Sequence, residues 1–295
     1  MSNLSYRRSY VDSVATKVST LRFGTGPIEY VFLHGAGLYG LAWEGTLKSL
    51  NKITGEQSSA LVLDLPGHGM SDWRQDGDYS PATLAADVIA VLQNFPGDIF
   101  NGDTKPLLIG HSLGGLTAAK IAAQQPDCFA GVLIIDITPG VYGTPATSSI
   151  LEFITGKTVF DSRAEMIERA IAFGLGPTAA SLEGGVTRNS RKRPDGKYEW
   201  RHHLAHLPPS NEQKSEAAIA ELRDDLWQAL TKASEQLPTR MLLASNGMVS
   251  DAAAKTAREI TPRVTLATIA GTHNLHDSNP EQLANEIHRF RVAVR

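Results

Sequence analysis

The run Pro106-Leu107-Leu108-Ile109-Gly110-His111-Ser112-Leu113-Gly114-Gly115 carries an apolar stretch straight into a serine flanked by glycines. Its first four residues have the apolar continuity of a strand buried on both faces. Leu116 to Gln125 (LTAAKIAAQQ) follows with helical composition. A chain that passes from strand to helix across G-x-S-x-G turns so sharply that its central residue takes a strained backbone conformation. Glycines two before and two after keep side chains from colliding in that turn. Ser112 is therefore expected at the carboxyl end of a strand and the amino end of a helix, where a nucleophile is useful.

A serine nucleophile needs a base, an acid to orient the base, and donors for the developing oxyanion. Val264 to Ile269 (VTLATI) reads as a strand and is followed by Ala270-Gly271-Thr272-His273-Asn274-Leu275-His276. A histidine in a glycine-containing loop after the last strand can reach over the sheet edge, which makes His273 the expected base. His276, three residues later, reads as an ordinary histidine. Two aspartates compete for the acid. Asp136 directly follows the strand Gly131-Val132-Leu133-Ile134-Ile135, the next one after the nucleophile's. Asp251 lies several residues beyond the strand Met241-Leu242-Leu243-Ala244 and also suits the first turn of a helix. Upstream, Ile28 to Leu33 ends in His34-Gly35-Ala36-Gly37, where glycines let backbone approach a substrate closely. The expected oxyanion donors are the amides of Ala36 and of Leu113, the residue after the nucleophile.

Strand patterns near 12–23, 28–33, 60–65, 106–111, 130–136, 240–245 and 263–269 alternate with helical ones. The clearest helices are 82–95, 116–125, 251–260 and 281–294. Such alternation predicts an α/β fold: a mostly parallel sheet with helices on both faces and ligands at the carboxyl ends of the strands. Between Pro139 and about Leu237 the alternation stops, for too long to be a simple crossover. Residues 140–237 are read as an inserted cap on a core formed by 1–139 and 238–295. Helical patterns within it cover 148–153, 162–175 and 216–233. A cap excludes water and shapes a pocket. Tyr142, Phe153, Phe160, Ile167, Ile171, Phe173, Leu222 and Trp227 are its candidate pocket residues.

His34-Gly35-Ala36-Gly37, Asp64-Leu65-Pro66-Gly67-His68-Gly69-Met70-Ser71, Gly110-His111-Ser112-Leu113-Gly114-Gly115 and Gly271-Thr272-His273-Asn274 resemble signatures of the α/β-hydrolase superfamily. The likeness covers nearly the whole chain and is nearest to small serine esterases and acyl hydrolases with a helical cap. It implies an eight-stranded sheet and structural rather than catalytic roles for Asp64 and His68. In many members the acid stands three residues after the glycine of the second loop, where this chain has Ser250. Asp136-Ile137-Thr138-Pro139 resembles a segment whose aspartate is the acid in some members, with a serine where the usual acid strand ends. Ser245 matches that serine, so the resemblance ranks Asp136 before Asp251 and makes Ser245 a helper. The implied activity is hydrolysis of a carboxylic ester, thioester or related acyl bond of a small, largely apolar substrate. A carbon–carbon hydrolase acting on β-diketone or ring-cleavage products is the alternative, and a non-catalytic ligand receptor the second.

The 295 residues are 42% hydrophobic and 20% charged, as in soluble globular proteins. A net charge of −3 supplies no attraction for nucleic acid or an anionic membrane, so neither is an expected partner. The lone Cys128 suits a reducing compartment. No stretch near the amino terminus reads as a signal peptide and none approaches a membrane span, which makes the cytoplasm the default. A small acyl substrate is the expected partner, for a monomer or homodimer. The basic run Arg188–Arg201 contains Pro194-Asp195-Gly196, a turn signal, and reads as a solvated surface hairpin. His202, His203 and His206 lack acids or thiolates at ligand spacing, so no metal is expected, nor any cofactor.

Overall fold

The computed structural model describes residues 4–97, 99–100, 105–176, 178–208 and 215–295. In chain order the elements begin with β1 (Tyr6–Asp12), β2 (Lys17–Phe23), β3 (Tyr30–Leu33), α1 (Glu44–Thr54), β4 (Ala60–Leu63) and α2 (Pro81–Asn94). Next come β5 (Leu107–His111), α3 (Leu113–Gln124), β6 (Gly131–Ile135), α4 (Pro145–Gly156), β7 (Val159–Phe160) and α5 (Arg163–Ala172). Then follow α6 (Ala179–Asn189), β8 (Ser190–Lys192), β9 (Tyr198–Trp200) and α7 (Glu216–Gln236). The chain closes with β10 (Thr239–Asn246), α8 (Asp251–Ile260), β11 (Thr265–Thr272), α9 (Leu275–Ser278) and α10 (Pro280–Ala293).

Eight strands form one sheet in the order β1-β2-β4-β3-β5-β6-β10-β11. From β4 to β11 the neighbours run parallel, while β1 and β2 are antiparallel additions at one edge. The expected α/β fold with a mostly parallel eight-stranded sheet is the one observed. One strand expectation needs correcting, because 12–23 is the end of one strand and the whole of another. Ser13 and Thr16 close a turn there through a 2.8 Å backbone hydrogen bond, and Asp12 pairs with Lys17 across it.

The central strands are buried on both faces, and their side chains alternate between two apolar layers with the period of two that a pleated strand imposes. Val31, Leu33, Leu108, Val132 and Ile134 meet α2, α3 and α7 on one side. Tyr30, Phe32, Leu107, Ile109, Leu133 and Ile135 meet α1 and α10 on the other. The central strands are thereby sealed from water except at their ends, where the loops gather.

A third apolar cluster lies in the segment between β6 and β10. Phe153, Ile154, Phe160, Met166, Ile167, Val186 and Trp200 form it, drawn from α4 to β9. This region is not purely helical: β7, β9 and β8 make a small antiparallel sheet. The hairpin expected at Pro194-Asp195-Gly196 joins β8 to β9, with Gly196 at a φ of 85°. Its basic residues are largely paired, Arg191 and Arg193 with Glu199 and Lys197 with Asp161. The helix α7 behaves differently from its neighbours in sequence. Leu226, Ala229, Leu230 and Ala233 join the larger core cluster beside α3. No helix among the described residues is long and apolar enough to cross a membrane.

Candidate active site

The turn between β5 and α3 holds Ser112 at φ 52° and ψ −121°. Ser112 and Asp136 are the two non-glycine residues with positive φ among the described residues. Such conformations persist only where surrounding structure enforces them, and they concentrate at functional sites. Enforcement is visible here. The Ser112 N–H donates to the Ile135 carbonyl at 3.0 Å, and the Ser112 carbonyl accepts from Gly115 at 2.8 Å. A Cβ on Gly110 would overlap the backbone of Gly114, so the turn closes only with glycine there. The hydroxyl of Ser112 has no hydrogen-bond partner among the described residues.

Asp136 ends β6, the adjacent strand, and its side chain is fully buried. One carboxylate oxygen accepts from the Ala244 N–H at 2.9 Å, the other from the Met248 N–H at 2.8 Å. A buried carboxylate is stable only with such donors. The end of β10 and the loop after it supply them, and the carboxylate fits there because residue 247 is glycine: a Cβ there would overlap it. The second oxygen also meets the Nδ1 of His273 at 2.7 Å. A carboxylate only accepts, so Nδ1 is the donor of this bond.

His273 follows β11 and is anchored twice. Its carbonyl accepts from the Nε2 of His111 at 2.9 Å, and the two rings stand 4.6 Å apart. His111 immediately precedes Ser112, so this contact holds the His273 loop against the serine turn. Burial, and the nearby rings of His273 and His276, push His111 well below the usual histidine range and keep it neutral.

The loop 34–38 is clamped peptide by peptide. His34 Nδ1 donates to the Gly35 carbonyl at 2.8 Å while its Nε2 accepts from Leu65 N at 2.9 Å. The Gly37 N–H donates to His68 Nε2 at 3.0 Å, and His68 Nδ1 donates to the Pro66 carbonyl at 2.9 Å. Leu38 N donates to the Gly35 carbonyl at 3.2 Å. Both histidines are fully buried, which drives His34 down to about 4 and His68 down to about 3. The amides of Ala36 and Leu113 donate to no described residue. Asp64, whose motif read as structural, accepts from Arg8, Ser19, Gly40 and Met70 and ties the same loops together.

The remaining sequence candidates fall elsewhere. Asp251 opens α8, exposed, one residue after its N-cap Ser250, and has no hydrogen bond or ion pair to a described residue. It is Asp136 that meets His273. Ser245 accepts from Gly271 N at 3.3 Å and contacts neither Asp136 nor His273 by hydrogen bond. His276 is buried against Trp43 and His111. His203 and His206 stack on Trp73, and His202 on Trp200. Among the described residues no group of three metal-ligating side chains converges.

A cavity of about 410 Å³ lies between α1, the loop 37–42 and the segment 153–202. Gly37 and Asn274, the neighbours of Ala36 and His273, are on its wall, and Phe153, Leu182, Val186 and Trp200 give it an apolar side. Glu44, Lys48 and Arg188 also line it, with Arg188 3.1 Å from Glu44. Of the eight aromatic and aliphatic residues expected to shape a pocket, Phe153 is on this wall. Phe160 and Ile167 pack inside the small cluster, Tyr142 and Trp227 lie against the main core, and Ile171 faces water. Sequence periodicity cannot separate packing from lining. Asn189, which also lines the cavity and donates its Nδ2 to the Gly37 carbonyl at 2.6 Å, escaped sequence reading because it stands among basic residues.

Known proteins agree with this architecture. Esterase Rv0045c of Mycobacterium tuberculosis (strain ATCC 25618 / H37Rv) is 34% identical over 194 residues, 64% of this chain and 61% of that protein. The pimeloyl-(acyl-carrier protein) methyl ester esterase of Aeromonas salmonicida (strain A449) is 35% identical over 122 residues, 41% of this chain and 42% of that one. The matched stretches thus span less than two thirds of either relative. A solved structure of the M. tuberculosis esterase Rv0045c superposes with a TM-score of 0.75 at 25% identity, covering 98% of this chain and 92% of the other. A thioesterase domain from the curacin biosynthetic pathway, at 18% identity and a TM-score of 0.71, shares the fold. The family model for the alpha/beta hydrolase family matches residues 30–286, and the chain belongs to that family.

Proposed function

We propose that the protein is a serine hydrolase that cleaves a carboxylic ester, or a related acyl bond, of a small and largely apolar substrate. The observation that carries the reading is the buried Asp136 carboxylate bonded to Nδ1 of His273, with a strained Ser112, whose hydroxyl bonds to no described residue, at the end of the adjacent strand. Esterases among its relatives support the same chemistry.

In this reading His273 Nε2 takes the Ser112 proton as Oγ attacks the ester carbonyl. The new C–O bond pushes the carbonyl electron pair onto oxygen, and the amides of Ala36 and Leu113 stabilise that charge. Collapse breaks the bond to the leaving alcohol, which receives the proton from His273. Water then attacks the acyl-serine, His273 accepts its proton and returns it to Ser112, and the acid departs. Asp136 stabilises the imidazolium in both halves and keeps the tautomer that leaves Nε2 free. Of the residues 140–237 read as a cap, those before α7 act as the cap, since α7 packs into the main core, and the 410 Å³ cavity beneath them takes part of the substrate. The lone Cys128 suits a cytoplasmic setting.

Hydrolysis of p-nitrophenyl esters of graded chain length, with fluorophosphonate labelling of Ser112, tests the proposal. Turnover and labelling should both vanish in Ser112→Ala. A Ser112→Ala protein that keeps near-native turnover would remove the serine mechanism. Wild type that ignores esters but cleaves a β-diketone would replace the bond while keeping the residues.

A further inference from the structure

Ile154 and His202 of the cap stand against Gly37, and Ala36 packs on the cap's apolar cluster, but the side-chain hydrogen bond that the cap gives to the loop 34–38 comes from Asn189. Three successive peptides make up the turn from Gly35 to Leu38. In the first, the Gly35 carbonyl is occupied by His34 Nδ1 and Leu38 N, while the Ala36 N–H is free. In the second, the Gly37 N–H is occupied by His68. In the third, the Leu38 N–H goes to Gly35 and the Gly37 carbonyl accepts from Asn189 Nδ2. Every N–H of the turn is thus spent except that of Ala36. His34 and His68 come from the core, whereas Asn189 is the last residue of α6 in the cap.

Chemistry orients this amide. A carbonyl accepts only from the NH2 side, so Asn189 Oδ1 must face away from Gly37, and there it is buried without any partner. An unsatisfied buried acceptor is a net cost, so the side chain is not explained by comfortable burial. What it does accomplish is to hold the carbonyl of Gly37, a residue at a φ of 70° in the left-handed region that glycine enters without strain. The end of α6 is itself fixed, once within the cap and once to α1. Arg201 N donates to the Asn189 carbonyl at 2.9 Å, and Arg188 reaches Glu44 of α1 at 3.1 Å.

We propose that Asn189 is a positioning residue through which the cap sets the direction of the Ala36 amide, so that a correctly seated cap completes the oxyanion site. The inference rests on the reading of Ala36 as an oxyanion donor, but the Asn189–Gly37 link can be measured without any substrate. Because the donor matters in the transition state and not in the ground state, its loss should appear in kcat rather than in KM.

The test compares wild type with Asn189→Asp, which keeps the shape and removes the donor, and with Asn189→Ala. Amide hydrogen exchange of the segment 35–41 is followed alongside ester hydrolysis and inhibition by an alkyl boronic acid, a mimic of the tetrahedral state. In both variants exchange across 35–41 should accelerate, and kcat and boronate affinity should fall about tenfold or more, since small misplacements carry such penalties. KM should stay within about twofold. Unchanged exchange with unchanged kcat would overturn the proposal, as would a loss confined to KM. If Asn189→Asp does not fold, Asn189→Ala decides alone. A wild type that fluorophosphonate does not label at Ser112 would end the serine mechanism, while the exchange arm still judges the link.

Discussion

At the scale of single residues, the site depends on one buried carboxylate meeting three donors. Replacing Asp136 by Asn puts an NH2 group where an acceptor is needed, so the His273 tautomer is no longer imposed. A loss of kcat/KM greater than about a hundredfold is expected on a p-nitrophenyl ester, with Asp251→Asn near wild type. Equal losses in the two variants would show that Asp136 is not the orienting acid. Ser112 and His273 were legible as candidates because their signals are local: a glycine-flanked turn after an apolar run, and a loop histidine after the last strand. The choice between Asp136 and Asp251 was not local. It depends on which strand end lies beside β10, and on a glycine at 247 that makes room for the carboxylate. The clamps by His34, His68 and Asn189 were hidden for the same reason, since each bonds a backbone atom distant in sequence or in another layer.

At the scale of elements, the two kinds of apolar cluster predict different responses to truncation. Leu230 of α7 is fully buried in the main core, so Leu230→Ala should cost about 2–5 kcal/mol of global stability in denaturant unfolding. Phe160 is equally buried, but in the small cluster between β6 and β10. Phe160→Ala should therefore loosen exchange in α4, α5 and β9 while leaving the slow amides of β5 and β6 unchanged. Uniform acceleration across both regions would mean that the small cluster and the main core unfold as one unit. The strands of the core were readable because continuous apolar runs of strand length have few alternative fates. The small sheet β7-β9-β8 was not, apart from its turn. Its strands are two or three residues long, too short for any periodicity, and are set by packing around Trp200. The division of 12–23 into two strands turned on Ser13 and Thr16 hydrogen-bonding across four residues, a weak signal inside an otherwise strand-like run.

At the scale of the whole molecule, acid sensitivity follows from histidines buried in neutral form. Burial lowers His34 to about 4 and His68 to about 3, and drives His111 and His202 well below their usual range. In the unfolded chain these groups protonate near pH 6.5. Between about pH 6.5 and about pH 4 the unfolded state therefore binds more protons than the folded one, and stability falls as pH falls. The thermal midpoint should be level above neutrality and decline steadily below about pH 6.5. A midpoint unchanged down to pH 4 would contradict neutral burial of these rings. Positive φ at Ser112 points the opposite way, toward a gain in stability once the site is given up. Its hydroxyl bonds to nothing described, and glycine adopts that conformation freely, so Ser112→Gly should raise the unfolding free energy in denaturant titration by on the order of 1 kcal/mol. On the proposed mechanism, the strain held at Ser112 is returned only as turnover. A glycine at that bend would leave a sturdier molecule with no hydroxyl to offer an ester.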